Sequence, residues 1–312
     1  MMKGKMRRSL KIGSRGSRLA LWQAEFIKRK IQAKFPDIKI EISIIRTTGD
    51  KLSDAALSKI GGKGVFVKEI EEALLRGEID MAVHSMKDLP TVLPRGLKIG
   101  AVTEREDPRD ALLSREGIKF YDLSKGARLG TGSLRRQAQL LGLRPDIEVL
   151  PIRGNVDTRV RKLKKSGLDG VVLAVSGLKR MGLENEITEI FSLESLVPSP
   201  GQGIIAVESR EGDEWLEEIV AEINHEETEI VALAERAFLE RLSGSCRVPV
   251  GCYAEVIADR IRIAGLIAFP DGIGMIRLES EGSSENPVSL GKDLAERVLE
   301  SGGKRILSSL VT

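Results

Sequence analysis

The stretch LSGSCRVPVGCYA, residues 242–254, holds both cysteines of the chain, Cys246 and Cys252. Cys246 stands in a run of serine and glycine that gives its thiol room to reach a partner. A thiol near cationic groups ionises readily and attacks carbon. Gly/Ser loops also carry inert cysteines, so the residues alone leave a covalent and a bystander reading open. Cys252 opens a strand-like run, where a packed thiol is expected.

The second reactive set is basic. From Ala127 to Gly182, eight arginines and four lysines face four acids, although the whole chain carries only +3. Arg135 and Arg136 follow GTGS at the start of a helical pattern, where free backbone N–H groups already favour an anion. Arg153 closes a strand pattern in PIRGN, Arg159 lies six residues on, and Arg180 follows a third strand in SGLKRMG. Guanidinium forks match carboxylate or phosphate in two-point contact. One reading is a solvated, salt-bridged helix face, which suits Lys162, Lys164 and Lys165. The other is convergence from neighbouring strand ends on one cleft that takes a small polycarboxylate or polyphosphate. Asp88, in HSMKDLP, either caps a turn or places a carboxylate in that cationic setting. There it would serve a positive charge developing on a substrate, or a leaving amine that needs a proton.

Other chemistries fit poorly. His84 and His225 are the only histidines and neither belongs to a spaced ligand pattern, so no metal is expected. His225, in NHEET, is expected near the start of a helix. No G-x-S-x-G is present, and the IGGKGVF turn around Lys63 does not satisfy the phosphate-loop pattern. Residues 127–182 contain no Phe, Tyr or Trp, so stacking platforms for single strands are missing and no nucleic-acid partner is expected.

These side chains need a scaffold. At 312 residues, 41% hydrophobic and 30% charged, the chain suits a globular protein of two or three domains. No stretch approaches the ~20 apolar residues of a membrane helix. The basic start, MMKGKMRRSLKIG, is followed by no apolar segment, so no secretory leader is expected. Two cysteines make no disulfide framework, and a reducing cytoplasm is the expected compartment.

Short apolar runs alternate with helical patterns to about residue 210. SLKIGS, IKIEISIIR, IDMAVHSM and LKIGAVTE read as strands. SRLALWQAEFIKRKIQAKF reads as a helix with Leu19, Trp22, Phe26 and Ala33 on or near one face, and VFVKEIEEALLRGE as another. After the turn-rich REDPRD, the pattern repeats: ARLGTG into SLRRQAQLLGL, DIEVLPI into RGNVDTRVRKLKKSG, and GVVLAV into SGLKRMGL. Serial strand–turn–helix units argue for doubly wound α/β layers with ligands at the carboxyl ends of strands. SPGQGIIAVESR starts with a Pro/Gly hinge and ends in one more strand. From about residue 226 the helix ETEIVALAERAFLERL precedes the cysteine loop. Three strand-like runs follow, joined by ADR and PDG as an antiparallel meander, and SLGKDLAERVLESG is a closing helix.

Taken together, GGKGVFVKEIE, DMAVHSMKDLP, EREDPRDA, GTGSLRRQ, RGNVDTR, LAVSGLKRMG, PGQG and GSCRVPVG closely resemble the porphobilinogen deaminase family over nearly the whole chain. The resemblance implies an enzyme that joins four porphobilinogen molecules head to tail into hydroxymethylbilane and releases ammonia at each step. It implies a dipyrromethane cofactor held by a thioether to a loop cysteine, which matches Cys246, and an aspartate at the pyrrole nitrogens, which matches Asp88. Arg15, Ser17, Ser85, Lys87, Arg135, Arg136, Arg153, Gly154, Asn155, Arg159 and Arg180 match carboxylate-binding positions for cofactor and substrate. Thr131, Ser133 and Gln202 match neighbouring polar contacts, and Lys59, Lys63 and Phe66 match a mobile active-site loop. The pattern departs at TGS, where Thr-Ser-Ser is common, so Gly132 lacks a hydroxyl that would meet one carboxylate. It departs also at SGSC, where glycine often precedes the cysteine.

The expected fold is α/β: two doubly wound domains resembling periplasmic binding proteins, plus a C-terminal α+β domain with a three-stranded antiparallel sheet. The expected boundaries are 1–103 with 204–222, then 104–203, then 223–312. The resemblance implies a cytoplasmic monomer. The rival reading is a non-catalytic two-lobed binding protein for a polycarboxylate metabolite, which explains the arginines and the hinge but leaves Cys246 without a purpose.

Overall fold

Hydrophobic alternation places the first strand, β1 (Ser9–Ser14), with Leu10 and Ile12 buried on one face. The structure, a computed structural model, describes residues 9–51, 67–242 and 248–310. Helix α1 (Arg18–Lys34) starts at Ser17, whose hydroxyl accepts from the Ala20 N–H at 3.3 Å and so satisfies one of the free donors of the first turn. Next come β2 (Lys39–Ile44), the single turn α2 (Thr48–Lys51) and α3 (Lys68–Leu75). Strand β3 (Met81–Ser85) leads into a 3₁₀ turn at Met86–Asp88, and β4 (Leu97–Val102) follows.

Strands β5 (Asp110–Ser114) and β6 (Arg128–Gly130) come next, then α4 (Leu134–Leu143) and β7 (Glu148–Leu150). Helix α5 (Val156–Leu163), β8 (Gly170–Ala174), α6 (Val175–Arg180) and the two-residue β9 (Glu189–Ile190) follow. Strand β10 (Ile205–Arg210) and α7 (Glu214–Ala221) precede α8 (Glu226–Arg241). The end of the chain holds β11 (Val250–Ile257), β12 (Arg260–Ala268), β13 (Met275–Ser283), α9 (Pro287–Val298) and α10 (Lys304–Ser309).

Two sheets of five strands run β2-β1-β3-β10-β4 and β7-β6-β8-β5-β9, and a third, of three strands, runs β11-β12-β13. In the first sheet β1 is parallel to β2 and β3, while β10 is antiparallel to β3 and β4. The second repeats the scheme, with β6 parallel to β7 and β8 and with β5 antiparallel to β8 and β9. The third is an antiparallel meander in which Ala258 turns the chain between β11 and β12 at a φ of 57°.

The chain divides into two compact units: residues 1–104 with 204–226, and residues 105–203 with 227–312. In the first, α1 and α7 cover one face of the sheet through Ile27, Ile31, Leu216 and Ile219. On the other face α3 packs through Ile70, Ala73 and Leu74. In the second, α5 and α6 cover one face of the five-stranded sheet and α4 the other. Helices α8 and α9 pack on the meander through Phe238 and Leu294. Both five-stranded sheets are therefore doubly wound, as the alternating pattern predicts.

Besides the short α2 and α10, three elements escape the sequence pattern. Strand β5 is a short apolar run hidden behind the charges of REDPRD, β9 has too few residues to show a period, and α7 follows a Gly-Asp turn. The buried stripe of α1 also differs from expectation. Gln23, Ala24, Ile27 and Ile31 are buried, Leu19, Trp22 and Phe26 are half-buried, and Ala33 is exposed. Gln23 can be inside because its amide donates to the Ser85 hydroxyl at 2.9 Å, and Trp22 and Phe26 stack on each other at its flank.

One buried carboxylate ties α8 to two other parts of the second unit. Glu235 accepts from the N–H of Gly201 at 2.6 Å and of Ala254 at 2.7 Å, and pairs with Arg105 at 2.6 Å. The Arg105 guanidinium also lies over the Tyr253 ring, 4.9 Å from its centre. Glu235→Gln places an amide N–H₂ against these donors. It should cost about 3 kcal/mol, read as a lower denaturant midpoint of unfolding.

Candidate functional site

In the first unit the candidate residues stand where parallel strands end. Ile12 and Gly13 of β1 pair with Met81 and Ala82 of β3, so the segments leaving the two strands leave from one edge of the sheet. Arg15 and Ser17 follow β1; Ser85, Lys87 and Asp88 follow β3. The Ser17 hydroxyl serves the α1 cap, and the Ser85 hydroxyl accepts from Gln23. Met86 is buried and its N–H is bonded to the Ile204 carbonyl at 3.0 Å, which anchors the 3₁₀ turn. Lys87 is half-buried and Asp88 exposed. A carboxylate is thus presented to solvent from a turn whose preceding residue is locked into the core.

In the second unit β6, β7 and β8 are parallel neighbours, and their carboxyl ends carry the basic set. Thr131 follows β6 and is buried, its hydroxyl accepting from the Ser133 N–H at 3.2 Å. Ser133 caps α4 by accepting from the Arg136 N–H. Arg153, Gly154 and Asn155 follow β7 and are exposed. Gly154 has a φ of +113°, and a Cβ there would meet Thr158 Cγ2 at 2.7 Å, so the turn requires glycine. The Arg159 Nε donates to the Gly154 carbonyl at 2.7 Å, fastening this turn to α5.

Arg135 and Arg136 are buried rather than displayed. Both guanidinium groups hold Asp110, itself fully buried at the start of β5, at 2.8 and 2.7 Å. The Gln202 amide reaches the same carboxylate at 2.8 Å and the Pro108 carbonyl at 2.6 Å. Arg135 and Arg136 further donate to the carbonyls of Val197 and Val172. Burial works against ionisation of Asp110, but the two guanidinium groups outweigh it and hold the carboxyl well below its usual range. Burial pulls Arg135 below its ordinary value against the attraction of Asp110. Arg180, buried at the end of α6, donates to the Gly203 carbonyl at 2.6 Å, and burial pulls it down to about 10.

Asp110 is the site residue that sequence reasoning passed over. Its only signal is an acid opening the apolar run DALL, a position that calls for a buried partner. At Gly132 a Cβ would stand 2.8 Å from the Ile152 carbonyl oxygen, so the missing hydroxyl goes with a close backbone approach. Cys252 is fully buried, and burial raises its thiol well above the usual range, so it is no nucleophile. Cys246, Lys59, Lys63 and Phe66 lie outside the described residues. Among the described residues no group of three or more His, Cys, Asp or Glu could hold a metal ion.

Comparison with known proteins decides the family. Residues 10–218 match the family described as "Porphobilinogen deaminase, dipyromethane cofactor binding domain", and residues 230–300 match "Porphobilinogen deaminase, C-terminal domain". The chain belongs to the porphobilinogen deaminase family. It is 49% identical over 305 residues to the porphobilinogen deaminase of Carboxydothermus hydrogenoformans, covering 98% of both chains. It is 50% identical over 301 residues to that of Syntrophus aciditrophicus, covering 96% of this chain and 98% of the relative. The family is named for an enzyme, which sets the non-catalytic reading aside.

The dipyrromethane cofactor of the family suits the cluster in the second unit. Two guanidinium groups surround one carboxylate, so one positive charge is left over. The Nε of Arg135 and of Arg136 are buried without a protein acceptor. A ligand bearing carboxylates would supply the charge this arrangement lacks.

Asp110→Asn removes the only carboxylate between two buried guanidinium groups. It should cost about 3–5 kcal/mol at neutral pH in a denaturant titration. Because the folded carboxyl is depressed, its contribution is present above the ordinary value of 3.8 and is lost as pH falls below it. The gap between variant and wild type should therefore narrow on acidification.

Proposed function

We propose that the chain condenses four porphobilinogen molecules head to tail into hydroxymethylbilane, releasing one ammonia for each, on a dipyrromethane primer joined by a thioether to Cys246. The observation that carries this reading is the exposed Asp88 on its anchored turn beside Lys87. A site that only bound polycarboxylates would keep acids away from its ligand, since like charges repel. A reaction that creates positive charge on a pyrrole needs one.

When bound, the dipyrromethane supplies the pyrrole carbon to which the first substrate unit is joined. The protein's part is charge and orientation. As the aminomethyl C–N bond of the substrate breaks, its electron pair leaves with the amine, which takes up a proton, and the pyrrole ring becomes electron-poor. Asp88 accepts the pyrrole N–H hydrogen bond and offsets that developing charge. When the next C–C bond forms, the same carboxylate steadies the ring nitrogen until the displaced proton is lost.

Arg15, Ser17, Ser85 and Lys87 bind substrate and cofactor carboxylates at the strand ends of the first unit. Thr131, Ser133, Arg135, Arg136, Arg153, Gly154, Asn155, Arg159, Arg180 and Gln202 do so in the second. Lys59, Lys63 and Phe66 belong to a mobile active-site loop. The protein acts as a cytoplasmic monomer of three domains, 1–103 with 204–222, 104–203 and 223–312.

The purified protein should be heavier than its sequence by two pyrrole units and should release ammonia from porphobilinogen. Cys246→Ser should have the bare sequence mass. Asp88→Asn should keep the added mass and lose about a hundredfold or more in turnover. An unmodified wild-type mass would remove the primer from the scheme, and near-normal turnover by Asp88→Asn would remove the carboxylate.

A further inference from the structure

Beneath the Asp88 turn the first unit buries three ionisable side chains that the chemistry above does not use. His84 is the fourth residue of β3, and Glu208 lies on β10, the next strand of the sheet. In the register Ala206 opposes His84 and Glu208 opposes Ala82, so His84 and Glu208 share the face on which α3 packs. The His84 Nε2 is 3.1 Å from the Glu208 Oε2, with the two side chains 4% and 0% exposed. Glu71 of α3 is buried within reach of both their charges. Glu71 Oε1, His84 Nε2 and both oxygens of Glu208 have no well-aligned hydrogen-bond partner. Such a group persists where it does something that an apolar core would not.

The chain is gripped on both faces of the sheet at this point. His84 is held on the α3 face by Glu208, and Ser85, the next residue, is held on the α1 face by Gln23 at 2.9 Å. The 3₁₀ turn that carries Lys87 and Asp88 begins directly afterwards. We propose that His84 is a positioning residue, fixed by Glu208 and faced by Glu71, that sets the direction in which the chain leaves β3 and so the placement of Asp88. This rests on the assignment of Asp88 to the reaction.

The device responds to pH. Burial, and then the charge of Glu208, push the Glu71 carboxyl up to about 7 against the pull of His84. Other charges near this face are already engaged. On α3, Lys68 and Arg76 pair with Glu72, and Glu69 accepts from Thr48. On β10, Arg210 holds the Leu74 and Ile79 carbonyls together with Asp80 and Asp213. On β4, Lys98 pairs with Glu217. Ionisation of Glu71 therefore sets a second negative charge beside Glu208, with His84 the cationic side chain facing both among the described residues. The native state keeps a proton that the unfolded chain releases above 4.5, so stability falls as pH rises from there to about 7.

The test compares the holoenzyme with His84→Gln, Glu208→Gln and Glu71→Gln, measuring ammonia release from porphobilinogen and thermal unfolding over a range of about pH 5.5 to 8.5. His84→Gln and Glu208→Gln should keep the added mass and lower kcat about tenfold, with KM within about twofold of wild type. Glu71→Gln, the mildest change, should lose both the ionisation of kcat near neutrality and the fall in unfolding temperature over the same interval. Wild-type kcat and pH profiles in all three variants overturn the proposal. So does a loss of rate that only follows the unfolded fraction. Asp88→Asn, assayed alongside, separates the premises: near-normal turnover there removes the role of Asp88 whatever His84 does.

Discussion

Asp110 stands fully buried in the second unit with a guanidinium on each side, and most of what surrounds it follows from that. A lone carboxylate in such a place would take a proton, and a lone guanidinium would be driven out to solvent. Together they remain ionised, because each relieves the desolvation of the other. Arg135 and Arg136 come from the first turn of α4, Gln202 from the Pro-Gly turn and Asp110 from the head of β5. Three chain segments are therefore pinned at one point near the carboxyl ends of β6 and β8. Two guanidinium groups around one carboxylate leave the cluster with one positive charge in excess.

The first unit handles charge differently. Its exposed carboxylate, Asp88, is outside, and the packed and hydrogen-bonded residues lie underneath it. Met86 is buried, Ser85 is bonded to Gln23, and His84 sits against Glu208. An exposed side chain is only as well placed as the backbone that carries it, and here that backbone is held from two helix-covered faces. Both five-stranded sheets share the order of three parallel strands followed by an antiparallel one, but they put it to opposite uses. One leaves an acid exposed at a strand end; the other encloses an acid between two guanidinium groups.

Periodicity reveals elements whose burial is one-sided and long enough to repeat. Hence α1, α4, α8 and the meander are legible in the chain, as is the doubly wound scheme. It fails where the element is too short or the apolar run is masked by neighbouring charge, as at β9 and β5. It also misplaces the buried face of α1, because pattern counting treats Gln23 as polar and surface-seeking. Only its bond to Ser85, 62 residues away in sequence, makes the buried position tolerable. Asp110 was missed for the same reason: an acid is read as solvated until its partners are known.

The residue types and their order by themselves determined the chemistry. A cysteine among serines and glycines, an acid after an apolar run and arginines after successive strand patterns are covalent facts that no folding changes. Tertiary structure alone decided which charges meet partners within the protein. Arg135 and Arg136 turn inward to Asp110, Arg180 to the Gly203 carbonyl and His84 to Glu208, while Asp88 stays in water. The physical reason is that the energy of a charge depends on distance and burial, and both are set by chain segments far apart in sequence.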